Sequence, residues 1–200
     1  MKKENIRPFY LAGGGALLVV SLEVWFHGLS LSIINIPIHA AIETMGAFIA
    51  LFISFFLFKF DSEHNRLNRF HFASLALIAM GIFDLFHAMS SPGLLFVWFH
   101  TASAFIGSIL FLFVFMPEKK VSAICYYGLP LMTAVLIIIL SVIFISFEFL
   151  PPAVINGQFS GLEKTLNFLS ALLFLLSSFY FGFRYQREQQ REDLYFIGLT

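Results

Sequence analysis

The sequence predicts an all-α, polytopic bundle of transmembrane helices, and three observations support this prediction. Of the 200 residues, 59% are hydrophobic and only 12% are charged, whereas a soluble domain carries about 25% charged residues. The apolar residues form six runs, each close to the roughly 20 residues that a helix needs to cross a bilayer. The basic residues cluster at the chain ends and in every second connection between these runs, which is typical of a multi-span protein.

The six runs are expected to be spans, and the chain after the last one indicates a seventh. They cover residues 9–29, 37–58, 70–90, 94–116, 123–147 and 164–183. The first run follows a basic stretch, as in a signal peptide, but it is long and lacks a convincing A-x-A cleavage site, so we interpret it as a retained span. The chain turns apolar again before Thr200, which predicts the start of a seventh span and a longer protein.

The positions of lysine and arginine predict the orientation of the bundle. Eleven of the twelve basic residues fall on one side of the spans, and only Lys164 falls on the other. Because positively charged loops stay in the cytoplasm, we expect a cytoplasmic amino terminus and outer loops after the first, third and fifth spans. Trp98 is then expected at the outer interface, Glu163 in the last outer loop, and His71 at the cytoplasmic interface.

Ionisable side chains interrupt the apolar runs near their predicted outer ends. Such groups are costly in hydrocarbon, so they usually face a protein interior or a wet cavity and mark function. Three of the four runs concerned space a pair at i,i+3 or i,i+4, which places both side chains on one helix face. The alternating direction of the spans brings the whole set to the outer leaflet. The set comprises Glu23, His27, His39, Glu43, Asp84, His87 and His100.

This combination of imidazoles and carboxylates predicts a metal site. Nitrogen and oxygen donors suit Zn²⁺, Cu²⁺, Ni²⁺ or non-haem iron. The expected ligands are His39, His87 and His100, completed by Asp84 or Glu43. Since neutral imidazole and ionised carboxylate are the forms that bind a metal, occupancy is expected to fall with pH.

Glu23 and His27 are further candidates, either as ligands or as groups that orient a ligand. The single cysteine, Cys125, excludes an internal disulfide and a cysteine-based metal site. Two metal-free interpretations stay open for the whole set. One is a polar network that locks the helices together, and the other is a cluster that senses protons or a small ligand.

Two strings of sequence resemble bacterial membrane-associated sensor domains, closest to the MASE3 type. They are IHAAIETMGAFIALFISFF and GIFDLFHAMSSPGLLFVWFHTASAF. Those domains carry an H-x-x-x-E span followed by a D-x-x-H span, matched here by His39 and Glu43 and by Asp84 and His87, whereas His100 belongs to neither motif. The resemblance implies that residues 1–200 form one sensor domain of the bacterial inner membrane. It also implies a cytoplasmic output module, such as a histidine kinase or a diguanylate cyclase.

The favoured function is therefore sensory input, with a metal ion or small ligand bound near the outer face. No residue of the chain is assigned a catalytic role, and a catalytic output is expected beyond residue 200. The expected partners are the lipid bilayer and the output module, and pairing of two copies stays open. Nucleic-acid binding is excluded because the basic residues flank the spans instead of forming a patch.

The main alternative is an intramembrane hydrolase of the ceramidase type, in which Asp84 or Glu43 would activate a metal-bound water against a lipid amide or ester. Such enzymes use a late H-x-x-x-H span, but the runs 123–147 and 164–183 contain no histidine. A transporter or channel would need polar groups down to the cytoplasmic side, whereas the second to fourth runs are apolar in their cytoplasmic halves. A purely structural bundle is the remaining alternative.

Overall fold

The computed structural model describes residues 36–60, 66–146, 150–156 and 158–188. Over these residues the all-α prediction is confirmed, because five helices are long and apolar enough to cross a membrane. The first predicted run, 9–29, and the expected start of a seventh span lie outside the described residues. The helices are α1 (Ile36–Phe60), α2 (Arg69–Met89), α3 (Leu94–Leu112), which continues as a 3₁₀ turn (Phe113–Phe115), α4 (Ala123–Ser146) and α5 (Gly161–Glu188).

Two short antiparallel strand pairs join the helix ends. At one end of the bundle, β1 (Arg66–Leu67) pairs with β2 (Lys119–Lys120) and thereby links the connection after α1 to the connection after α3. Before α5, β3 (Val154–Ile155) pairs with β4 (Gln158–Phe159). Asn156 follows β3 with a φ of 52°, the left-handed conformation that an Asn-Gly hairpin turn requires.

The chain divides into two compact units. One runs from Ile36 to Ser177 and contains the core and the candidate site. The other comprises residues 1–35 and 178–200, of which the structure describes only 178–188, the last turns of α5. In that part, the rings of Tyr180 and Phe181 meet edge-on at 5.5 Å.

The predicted helix ends agree with the structure to within a few residues, and the difference at the start of α5 has a clear cause. This helix begins at Gly161, three residues before the predicted start, because the hydroxyl of Ser160 accepts the backbone N–H of Glu163 (3.2 Å) and so caps the first turn. The interpretation of Glu163 as a loop charge is therefore wrong. Its side chain lies in the helix and is only 4% exposed.

The central helix of the larger unit is α2. In its most apolar stretch 56% of the residues are buried, against 11% in α1 and in α4. The core consists of Ala79, Ile82 and Phe83 from α2, which pack against Phe99 of α3 and Ile137 of α4. The outward faces of α1 and α4 are apolar and exposed, as expected of helices that contact lipid.

Small residues fix how α1 and α2 pair. Ser54 and Ser74 each donate a hydroxyl to the other's backbone carbonyl at 3.0 Å. Seven residues away on each helix, Ala47 lies against Gly81, where an added Cβ would approach the Ala47 carbonyl oxygen to 3.1 Å. Small side chains allow membrane helices to approach closely. The two contacts set the antiparallel register of this helix pair.

His71 was expected in a solvated or interfacial position, and this expectation is wrong. Its side chain is 1% exposed and packs against the rings of Tyr126 (4.7 Å) and Phe58 (5.8 Å). The side chain of Asn68 caps α2 by accepting the backbone N–H of His71, so His71 lies in the first turn of the helix, on the face that packs against α1 and α4. Neither ring nitrogen has a hydrogen-bond partner among the described residues.

Because an unpaired buried polar group costs about 1–3 kcal/mol, His71→Phe is expected to raise the unfolding free energy by about 1 kcal/mol. His71→Ala removes the ring and leaves a cavity, so it is expected to lower that free energy by about 3 kcal/mol. Both variants are measured by denaturant unfolding in detergent. Equal losses in the two variants would contradict this account and indicate that the imidazole has a stabilising partner.

Candidate metal site at the histidine end of the bundle

The candidate site lies at one end of the helix pair α1–α2, and the small-residue register places it there. The antiparallel register that Ala47 and Gly81 set brings the start of α1 beside the end of α2, and the short turn after α2 brings α3 alongside. The i,i+4 pair lies near the start of α1 and the i,i+3 pair near the end of α2. We call this region the histidine end; it comprises His39, Glu43, Asp84, His87 and His100.

Three of these side chains form a group with the spacing of a metal site. His39, Glu43 and His87 each offer one ligand atom, and these atoms all lie within 4.8 Å of one another. Within α1, His39 Nε2 is 3.9 Å from Glu43 Oε1. The His87 side chain is buried (3% exposed), whereas those of His39 and Glu43 are 47% and 29% exposed. The group therefore has a fixed inner member and an open side.

The imidazole of His87 is held in one orientation. Its Nδ1–H donates to the backbone carbonyl of Phe96 on α3 (2.7 Å), and its ring packs on the ring of Phe96 at 3.9 Å. Metal-binding histidines commonly donate one ring N–H to a carbonyl, which selects the tautomer that leaves the other nitrogen free. The Phe96 carbonyl thus leaves Nε2 of His87 available as the ligand atom.

His100 and Asp84 lie beside this group but are not part of it. The ring of His100 is 5.3 Å from that of His87, measured between centroids. Asp84 lies within electrostatic reach of His100 and Glu43. Of the five predicted ligands, the structure thus brings three together and places the other two next to them. Glu23 and His27 lie outside the described residues.

The geometry suits a transition metal after a small adjustment. Zinc–nitrogen bonds of about 2.0–2.1 Å place tetrahedral donors about 3.3 Å apart, so the present separations of up to 4.8 Å need to shorten. The exposed ring of His39 has room to rotate. Two imidazoles and one carboxylate form the ligand set of open zinc sites, and also that of non-haem iron sites with free positions.

Two features of this end were not apparent from the sequence. The carbonyl of Phe96 is a backbone group, and no residue type marks it in advance. Trp98, expected at the lipid interface, is 7% exposed and donates its indole N–H to the carbonyl of Pro151 (2.8 Å). The interfacial assignment of Trp98 is therefore wrong, because the connection before α5 covers it. The sequence feature that could have indicated an ordered connection is the pair of consecutive prolines, Pro151 and Pro152, because proline restricts the backbone.

Comparison with known proteins identifies the family. A family model described as MASE3, a membrane-associated sensor domain, matches residues 34–199. This region contains α1 to α5 and every described residue of the histidine end. Neither the curated proteins nor the solved structures yield a match. Because the family model covers most of the chain, this protein belongs to the MASE3 family of membrane-associated sensor domains.

Proposed function

We propose that this chain is the sensory input part of a signalling protein and that it binds a divalent transition metal at the histidine end. His39, Glu43 and His87 bind the ion. His100 or Asp84 completes the coordination, or a water or an exogenous ligand takes the open position. The histidine end faces the outside of a bacterial inner membrane, and the signal passes through the helices to a cytoplasmic output module.

The observation that supports this proposal most strongly is the convergence of the three donor atoms. These side chains come from two helices and lie within 4.8 Å of one another, in a bundle where ionisable groups are otherwise rare. A metal-free polar network would be expected to pair its members directly. Here His39 and Glu43 approach only to 3.9 Å, and His87 bonds to a backbone carbonyl instead of to either of them.

Membership of a sensor family supports signalling over the hydrolase and transporter alternatives. The open side of the group also suits a sensor, because an ion has to exchange with the surroundings to report their composition. Zinc, copper and iron all match the donor set, so the identity of the metal is left to measurement.

The proposal is tested by elemental analysis of the full chain, purified in detergent without chelator and reloaded with Zn²⁺, Cu²⁺ or Fe²⁺. We expect one ion per chain, retained after desalting, and its loss in His39→Ala. A wild-type chain that retains no ion under any loading condition would refute metal binding. His71→Phe serves as the histidine control, because its ring lies at the opposite end of the bundle.

The two carboxylates of the histidine end are expected to behave differently. Glu43→Gln removes a negatively charged donor from the group itself, and we expect it to weaken binding of the retained ion by more than about 100-fold. Asp84 lies outside the group of three donors, so with His100 or water in the fourth position, Asp84→Asn is expected to cost only the loss of about 10- to 100-fold that follows removal of a residue that orients a ligand. Competition titrations with a metal chelator measure both affinities. Equal losses, or a larger loss for Asp84→Asn, would assign the ligand role to Asp84.

A further inference from the structure

The first two turns of α3 contact the candidate site on one side. Phe96 supplies the carbonyl that holds His87, and its ring also lies 5.4 Å from the ring of His39. One turn later, His100 lies against His87. Any ion bound to His87 and His100 would therefore act on the position of this part of α3.

The same two turns contact the connection before α5 and the first turn of α5. Trp98 donates to the carbonyl of Pro151, and the hydroxyl of Thr101 donates to Glu163 Oε1 at 3.5 Å. The side chains of Thr101 and Glu163 are both buried, at 1% and 4% exposed. Asn167, one turn further along α5, donates to the same carboxylate oxygen. A buried carboxylate on α5 is thus shared between its own helix and α3.

We propose that the hydrogen bond from Thr101 to Glu163 couples the histidine end to α5, so that metal binding shifts the position of α5. This inference rests on the proposed function, since it concerns the regulation of the same site. His100 and Thr101 are neighbours on one rigid helix turn, with one side chain against the cluster and the other against α5. A movement of that turn toward the bound ion therefore pulls Thr101 away from Glu163.

The sign of the coupling follows from the ligand that α3 supplies. With His100 as the fourth ligand, its ring nitrogen has to come within about 3.3 Å of the other donors around a zinc ion, and α3 moves toward the cluster with it. The hydrogen bond from Thr101 to Glu163 is already long, at 3.5 Å, and further movement of α3 toward the cluster breaks it. The bond hence favours the unliganded arrangement, and removing it should favour the liganded one. Thermodynamic linkage makes the effect reciprocal. If metal binding at the histidine end moves α5, a substitution that changes the position of α5 also changes the affinity for the metal.

The first test measures Zn²⁺ affinity by chelator competition in the full chain and in Thr101→Val, which removes the hydroxyl and keeps the shape of the side chain. We expect Thr101→Val to bind Zn²⁺ about fivefold more tightly or more, the lower range of allosteric coupling. Thr165→Val is the matched control and should retain the wild-type affinity, because among the described residues the Thr165 hydroxyl bonds only the carbonyl of Gly161 in its own helix (2.8 Å). Unchanged or weaker binding by Thr101→Val would overturn the proposal.

Trp98 provides a second readout in the same experiment. The chain has two tryptophans, Trp25 and Trp98, so a Trp25→Phe background isolates the indole that contacts Pro151. Stoichiometric Zn²⁺ is expected to shift the emission of Trp98, because the movement of α3 alters its hydrogen bond. An emission spectrum that stays constant while one Zn²⁺ binds per chain would contradict movement of α3.

A third measurement separates this proposal from the metal proposal. If the wild-type chain binds no metal, the metal proposal is refuted. Coupling between the two sides of α3 can still be tested by unfolding the chain without metal. His87→Phe, Thr101→Val and the double variant form a cycle. Distant and independent sites give additive effects, so we expect the double variant's unfolding constant to differ about threefold or more from the product of the single effects. Additivity would overturn the coupling.

Discussion

Replacing His87 by phenylalanine is expected to abolish metal retention and leave the bundle folded. His87 is the buried member of the donor group, and the Phe96 carbonyl orients it. Its loss therefore removes the ligand whose position is already fixed. Loss of a group that merely orients a ligand costs about 10- to 100-fold in affinity, so we expect loss of this ligand to exceed about 100-fold. Phenylalanine is chosen over alanine because it fills the space against Phe96.

Two measurements separate lost ligation from lost folding. Elemental analysis reports the bound ion, and denaturant unfolding of the same preparation reports the bundle. We expect His87→Phe to lose the ion with an unfolding free energy within about 1 kcal/mol of wild type, as for a volume-conserving change. A variant that keeps one ion per chain at wild-type affinity would remove His87 from the ligand set. His71→Phe should keep the ion.

Replacing Gly81 by leucine is expected to give a loss of stability as large as that of His71→Ala. A Cβ at this position would lie 2.8 Å from Leu51 Cγ and 3.1 Å from the backbone oxygen of Ala47, and backbone cannot rotate away. The α1–α2 pair would have to separate. Overpacking of a tight interface costs about 1–3 kcal/mol, and we expect Gly81→Leu to reach the upper end of that range.

The matched control for Gly81→Leu is Gly46→Leu on α1. A Cβ at Gly46 meets nothing within 4 Å, and leucine favours a helix over glycine by about 0.5–1 kcal/mol. We therefore expect Gly46→Leu to leave the unfolding free energy unchanged or slightly raised. Separating α1 from α2 also separates Glu43 from His87, so Gly81→Leu should weaken metal binding as well. If both leucine variants unfold at the same denaturant concentration, the small-residue contact does not fix the register.

The predicted spans that fall on described residues agree with the structure because composition and length suffice to define a membrane helix. A helix satisfies its own backbone hydrogen bonds, so an apolar run of the right length needs no partner to be recognised. The start of α5 was predicted less well. It depends on the cap provided by Ser160, and a serine followed by a glycine does not by itself indicate the start of a helix.

The site was partly predictable for a similar reason. The spacing of His39 and Glu43 and that of Asp84 and His87 each define one helix face from the sequence alone. The choice among the five candidates depends on where α1 meets α2, and that register depends on contacts between serine, alanine and glycine. These residue types are too common in membrane helices to point to one pairing in advance.

The sequence by itself determined that this protein is a bundle of membrane helices with imidazoles and carboxylates at one end, because both properties follow from the order of residues along single helices. Only the tertiary structure decided which of those groups meet, that Phe96 orients His87, and that Glu163 and His71 are buried. Each of these depends on contacts between different helices, whose geometry is set by close packing of small side chains and by backbone carbonyls that no residue type identifies.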